Sequence, residues 1–150
     1  MLNTEQVKET LGHVSLFKGC SDRTLADIAA VTTEIDHEKG DVIYEPGDDA
    51  ANVYVLVNGI VTFINKSGLG FLNNLTPVQQ VLEHSMIFGW AALVPEYPHR
   101  LGSAQCLENS QILSINGTAL LKILEQDTHS GFLVMKRLCS LIASTFVEKP

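Results

Sequence analysis

Apolar positions in the first thirty residues recur at helical spacing. Asn3 followed by Gln6 forms a capping box, in which each residue's side chain serves the other's backbone N–H. It predicts a short helix to about Leu11. Ser21 is placed to cap a second helix, and Leu25, Ile28 and Ala29 give that helix one apolar face. From Thr32 the period shortens. Runs rich in β-formers, at Asp41–Glu45, Asn52–Val57, Ile60–Asn65, Val78–Glu83, Gly102–Leu107 and Gln111–Ile115, predict strands. Turn residues separate them, at Glu38-Lys39-Gly40, Pro46-Gly47-Asp48, Asn58-Gly59 and Ser67-Gly68. Asn58-Gly59 is the strongest hairpin signal, because both residues tolerate the positive φ of a tight turn. Many short strands at this spacing imply a sandwich, a jelly roll or a barrel.

The last third returns to helix. Thr118–Gln126 predicts one helix, and a longer one starts at Thr128 or Ser130 and runs to about Val147. On the longer helix Phe132, Met135, Cys139, Ile142 and Phe146 are spaced as the a and d positions of a heptad. Leu138 and Leu141 lie off that stripe and are expected to pack onto the strands. Two stripes favour a double use, one docking the helix and one pairing it with the same helix of a second copy. A homodimer is therefore a candidate. No repeat or linker divides the chain, which is read as one domain over residues 1–150. Its parts are N-terminal helices at 1–31, a β region at 32–116 and C-terminal helices at 117–150.

Composition narrows the classes of function. Hydrophobic residues make up 45% and charged residues 18%, which suits a packed globule. No stretch reaches the roughly 20 apolar residues of a membrane span. The first residues lack the basic and apolar regions of a signal peptide, so a cytoplasmic location is expected. Cys20, Cys106 and Cys139 are odd in number and far apart, and are read as free, largely buried thiols. Sequons at Asn65, Asn74 and Asn116 carry no weight without secretion. A net charge of −7, with only 10 Lys and Arg and no cluster of them, argues against a nucleic-acid partner.

Catalysis finds no support either. His13, His37, His84, His99 and His129 are scattered, so no metal-ligating spacing appears. No nucleophile is paired with a base, and no Gly-rich phosphate loop is present. No cofactor is called for.

Three segments taken together resemble the cyclic-nucleotide-binding domain of catabolite-activator-type regulators, kinase regulatory subunits and gated channels. They are Leu16-Phe17-Lys18-Gly19-Cys20-Ser21-Asp22, Gly40-Asp41-Val42-Ile43-Tyr44-Glu45-Pro46-Gly47-Asp48 and Val55-Leu56-Val57-Asn58-Gly59-Ile60-Val61. Leu107-Glu108-Asn109-Ser110-Gln111-Ile112-Leu113 resembles the family's late hairpin. The resemblance implies a mainly β fold with flanking helices, a double-stranded β-helix or jelly roll closed by a C-terminal helical lid. It also implies a phosphate-binding cassette, here Phe88 to Gly102, with cAMP or cGMP as candidate ligand.

The cassette's chemistry can be argued from its residues. Gly89 lets the backbone approach a ligand, and the N–H groups that follow at Trp90 and Ala91 open a short helix toward an anion. Arg100 would add two charge-assisted bonds to phosphate oxygens, with Leu101 and Gly102 completing the loop. Two departures stand out. Trp90 replaces the acidic residue that in the family binds the ribose 2′-hydroxyl, which would weaken a cyclic nucleotide about tenfold to a hundredfold. Its indole N–H can donate but not accept. Leu101 replaces a Ser or Thr and removes a hydroxyl.

A second register, with Gly102-Ser103-Ala104 at the family's Arg-Ser-Ala, would leave no arginine in the site. The register with Arg100 is preferred because it also aligns Leu107-Glu108-Asn109-Ser110 without a gap. It puts Thr145, with Ser144 beside it, near the position that covers the ligand's base. The chain ends near where activator-type regulators begin their DNA-binding helices, so its output is expected to go to an unidentified protein partner. The competing reading is a degenerate domain that binds no ligand and acts as an interaction module, with Trp90 as a plug.

Overall fold

In the structure, a computed structural model, residues 1–65, 78–82 and 86–144 are described. The capping box forms as the sequence predicts: Asn3 accepts from the Gln6 N–H, and Gln6 accepts in return, opening α1 (Thr4–Gly12). A 3-10 turn at Ser15–Phe17 follows, which the sequence did not suggest. Ser21 caps α2 (Asp22–Ala30) through the N–H of Thr24.

The strands are β1 (Thr32–His37), β2 (Val42–Tyr44), β3 (Asn52–Asn58), β4 (Val61–Asn65), β5 (Val78–Leu82), β6 (Met86–Phe88), β7 (Ser103–Cys106) and β8 (Ser110–Asn116). Two were not expected. β1 is a polar Thr-Thr-Glu-Ile-Asp-His run with no fully buried residue, and β6 is three residues long. All pairings are antiparallel and form two four-stranded sheets, ordered β1-β8-β3-β6 and β2-β7-β4-β5.

This order corrects the strongest turn assignment. Asn58-Gly59 does not close a hairpin, because β3 and β4 belong to different sheets. β3 pairs with β8 while β4 pairs with β7, so two ribbons lie side by side and turn the corner of the roll together. The segment from Leu107 to Ser110 likewise crosses between sheets and is not a hairpin. Gly59 sits at the corner with φ +115°, where a Cβ would fall 2.7 Å from the Cα of Ser110. Side-chain bulk, as well as backbone angle, requires glycine there.

Alternation on β3 and β8 builds two cores. Val53, Val55, Leu113 and Ile115 face the helices. Leu56 and Ile112 face the interior of the roll with Val61, Phe88, Ala104 and Cys106.

At the C-terminal side, α3 (Gly117–Gln126) is capped by Asn116, and α4 spans Thr128–Ser144. The helix α4 buries Ser130, Val134 and Leu138, and it packs against the Ser15–Phe17 turn and α3. The heptad reading needs correction. Met135 and Ile142 are half-buried against the helix-side core, while Phe132 is 64% exposed and Cys139 is exposed. Phe146, Thr145 and the rest of the expected extension to Val147 lie outside the described residues. The three cysteines are free, but only Cys20 and Cys106 are buried; burial pushes both of those thiols up.

One carboxylate fastens the helices at the two ends of the chain. Asp127 Oδ2 accepts from the hydroxyls of Ser130 at 2.6 Å, Ser21 at 2.7 Å and Thr24 at 2.7 Å. The Ser130 N–H also donates to Asp127 Oδ1 at 3.2 Å. These donors, led by the Ser130 hydroxyl, hold the Asp127 carboxyl well below the usual carboxylate range. Arg137 adds bonds from α4 to the carbonyls of Leu16 and Lys18. Thus α4 is anchored to the N-terminal helices. Among the described residues, no helix is long and apolar enough to cross a membrane.

Candidate functional site

The segment after β6 turns at Gly89, which adopts the left-handed conformation with φ +76° and ψ +33°. A Cβ there would meet Tyr54 at 2.9 Å and Arg100 Nη1 at 3.1 Å. Glycine is thus required twice, by its backbone angle and by the arginine packed beneath it. The single turn that follows, Trp90–Leu93, is a 3-10 helix.

Arg100 is held from both sides of its own chain. Its N–H donates to the Asp48 carbonyl at 2.8 Å, and its carbonyl accepts from the Gly47 N–H at 2.9 Å. Ala50 N–H donates to the Pro98 carbonyl at 2.7 Å and extends the seam. The side chain turns inward and is only 4% exposed. Nη1 donates to the Gly89 carbonyl at 2.9 Å, and Nη2 donates to the Asn52 carbonyl. Nε is buried with no hydrogen-bond partner among the described residues.

Aromatic rings complete the surroundings. The guanidinium carbon lies 4.2 Å from the centre of the Tyr44 ring and 5.7 Å from that of Tyr54. Tyr54 stacks on Phe88 at 5.2 Å, and Phe63 meets Phe88 edge-on at 5.2 Å. Burial is the main cause that pushes the Tyr44 hydroxyl up to about 12, with the charge of Arg100 opposing it. The site is therefore a buried cation under a glycine turn, walled by aromatic faces.

The sequence-predicted residues divide. Gly89 and Arg100 are brought together. Trp90 is half-buried and packs against the helix-side core, whereas Tyr54 and Phe88 pack with the roll interior. Ala91 is half-buried, Leu101 is 57% exposed and Gly102 leads into β7. Ser144 ends α4 with its hydroxyl donating to its own helix at Leu141, 2.7 Å away. Thr145 and His84 lie outside the described residues.

Sequence reasoning placed Phe88 at the start of the cassette without a role, and it missed Tyr44, Tyr54 and Phe63 as part of the site. The alternation Val53-Tyr54-Val55-Leu56 carried the signal that Tyr54 faces opposite to the valines. What it could not supply is the arginine, 46 positions further along the chain in the sequence order.

Two surface clefts lie away from this site. One, of about 270 Å³, is bounded by Met1, Leu2, Val7 and Glu34; the other, of about 380 Å³, by Asp36, Asn58 and Asn109. Among the described residues, no three His, Cys, Asp or Glu side chains converge as metal ligands.

The sequence model of the cyclic nucleotide-binding domain matches residues 34–127, more than half of the chain and all of the site just described. The chain belongs to the cyclic nucleotide-binding domain family. Solved structures agree on the fold. A protein from Geobacter metallireducens GS-15 superposes with a TM-score of 0.74 at 24% identity, covering 96% of this chain and 98% of that one. The sensor domain of the transcriptional regulator DNR from Pseudomonas aeruginosa gives 0.77 at 19% identity, covering 97% and 96%. cAMP-bound PfPKA-R gives 0.67 at 23% identity, covering 80% of this chain and 41% of that one. No curated protein sequence matches the chain. In this member of the cyclic nucleotide-binding domain family, Gly89 turns over Arg100 and is followed by Trp90.

Proposed function

We propose that the chain is a cytoplasmic, non-catalytic sensing module that takes a small phosphorylated anion at Gly89 and Arg100. cAMP and cGMP are the candidate ligands. The signal passes from the cassette turn to α3, which packs against it, and on through α4 to a partner protein. A second copy of the chain, meeting α4 at Phe132 and Cys139, is the candidate partner in a homodimer.

One observation carries the reading. Arg100 keeps a buried Nε–H with no acceptor among the described residues, and an unsatisfied donor on a charged group is costly to maintain. A phosphate oxygen would satisfy it in a charge-assisted bond. The absence of a carboxylate at position 90 makes a cyclic nucleotide a weaker ligand than that bond alone would allow, since the 2′-hydroxyl gains no charged acceptor from the turn.

A second reading rests on the two Nη groups. Both Nη groups already serve the carbonyls of Gly89 and Asn52, which is how a brace inside an interaction module would be built. Calorimetry separates the two. The parent, Arg100→Ala and Arg100→Lys are titrated with cAMP, cGMP, AMP and inorganic phosphate. Binding by the parent that Arg100→Lys weakens at least tenfold supports the sensor, because lysine keeps the charge and loses the planar fork. No heat with any ligand at millimolar concentration overturns it in favour of the interaction module.

A further inference from the structure

The Nε–H of Arg100, which an anion would take, lies on an edge shut in by its surroundings. In the present arrangement the guanidinium turns inward, with two N–H groups on main-chain carbonyls and one face against Tyr44. Its remaining edge, at Nε, is enclosed. An anion reaching that edge requires the enclosure to open.

The two tyrosines that flank the arginine differ in how firmly they are held. Tyr54 lies on β3, which is paired on both sides by β6 and β8, and its ring stacks on Phe88. Tyr44 ends β2, a three-residue strand at the edge of its sheet. Its pairing with β7 shifts register between Val42 and Tyr44. Short edge strands with a broken register have few ladder bonds to lose when they shift. Yet Tyr44 makes the closer contact, 4.2 Å against 5.7 Å.

We infer that Tyr44 sets the anion affinity of this site by competing with the ligand for Arg100. Its ring holds the guanidinium in the closed position, and the anion gains the arginine when the end of β2 carries the ring aside. The inference rests on Arg100 being the anion's anchor. Any interaction made only in the closed state lowers apparent affinity by the factor with which it favours that state.

The test uses Tyr44→Leu, which removes the aromatic face, and Tyr44→Phe, which keeps it. Each is titrated with inorganic phosphate and with cAMP beside the parent, and the Arg100 Nε–H is followed by NMR. Tyr44→Leu is expected to bind roughly thirtyfold tighter, the size of a desolvated cation–π contact. Tyr44→Phe is expected to bind as the parent does. In ligand-free Tyr44→Leu, the Arg100 Nε–H is expected to exchange faster with solvent.

Binding by Tyr44→Leu that equals or falls below the parent's overturns the inference while leaving the anchor intact. Binding by Tyr44→Leu alone supports it. If no variant binds either probe, the anchor reading falls and this inference with it. Thermal denaturation checks that each variant is folded, and Tyr44→Met with the same readouts replaces Tyr44→Leu if that variant is not.

Discussion

Nη1 of Arg100 donates to the carbonyl oxygen of Gly89 at 2.9 Å, joining the turn that opens the cassette to the arginine near its end, 11 residues on. The bond exists because the left-handed glycine aims its carbonyl inward and leaves no Cβ over the guanidinium.

Gly89→Ala should therefore cost both stability and the position of Arg100. Holding a non-glycine residue at that φ and displacing the arginine together amount to about 1–3 kcal/mol. Urea denaturation of parent and variant measures this. A difference within about 0.5 kcal/mol, the range of ordinary surface changes, would show that the turn adapts without strain.

Asp127 predicts a pH dependence. Its carboxyl titrates lower in the folded chain than in the unfolded one, so on acidification the unfolded state takes up the proton first. The stability it contributes is complete above the unfolded carboxylate value of about 4 and is lost as pH falls toward the folded value. Denaturation midpoints of parent and Asp127→Asn, compared from pH 6 down to pH 2, should converge in acid and separate above pH 4, with the parent more stable. Parallel curves would mean that the Ser21, Thr24 and Ser130 hydroxyls bond the amide as well as the carboxylate.

Phe132 tests the proposed homodimer. With 64% of its surface exposed it stabilises the folded monomer little, so Phe132→Ser should leave the denaturation midpoint nearly unchanged at concentrations too dilute for the parent to dimerise. Sedimentation equilibrium should show the parent as a dimer and the variant shifted toward monomer. A monomeric parent would remove the dimer from the proposal.

Local features were legible in the sequence. The Asn3–Gln6 capping box, the Ser21 cap and the six predicted strands all lie within a few residues, where side-chain-to-backbone bonding and period-2 alternation act. β1 was missed because its Thr-Thr-Glu-Ile-Asp-His run has Ile35 as its one apolar residue, and its pairing with β8 makes it a strand. Asn58-Gly59 looked like a hairpin because the same positive φ serves a tight turn and a corner between sheets. Only the pairing of β3 with β8 and of β4 with β7 distinguishes the two.

The candidate site divides in the same way. Gly89 and Arg100 could be picked because the segment resembles the family's cassette, and a close backbone approach and a fork-shaped cation then give those two residue types a reason. That the arginine is buried, bonded to Asn52 and covered by Tyr44 could not, because those partners lie 48 and 56 residues away in sequence. Nor could the turning of Trp90 to the helices, or the anchoring of α4 by Asp127 to Ser21 and Thr24. Sequence by itself determined six of the strands, the helices with their caps and the glycine and arginine of the site, because those follow from local backbone chemistry and residue type. The tertiary structure decided which strands share a sheet and what Arg100 touches, because those contacts depend on how distant segments are brought together when the roll closes.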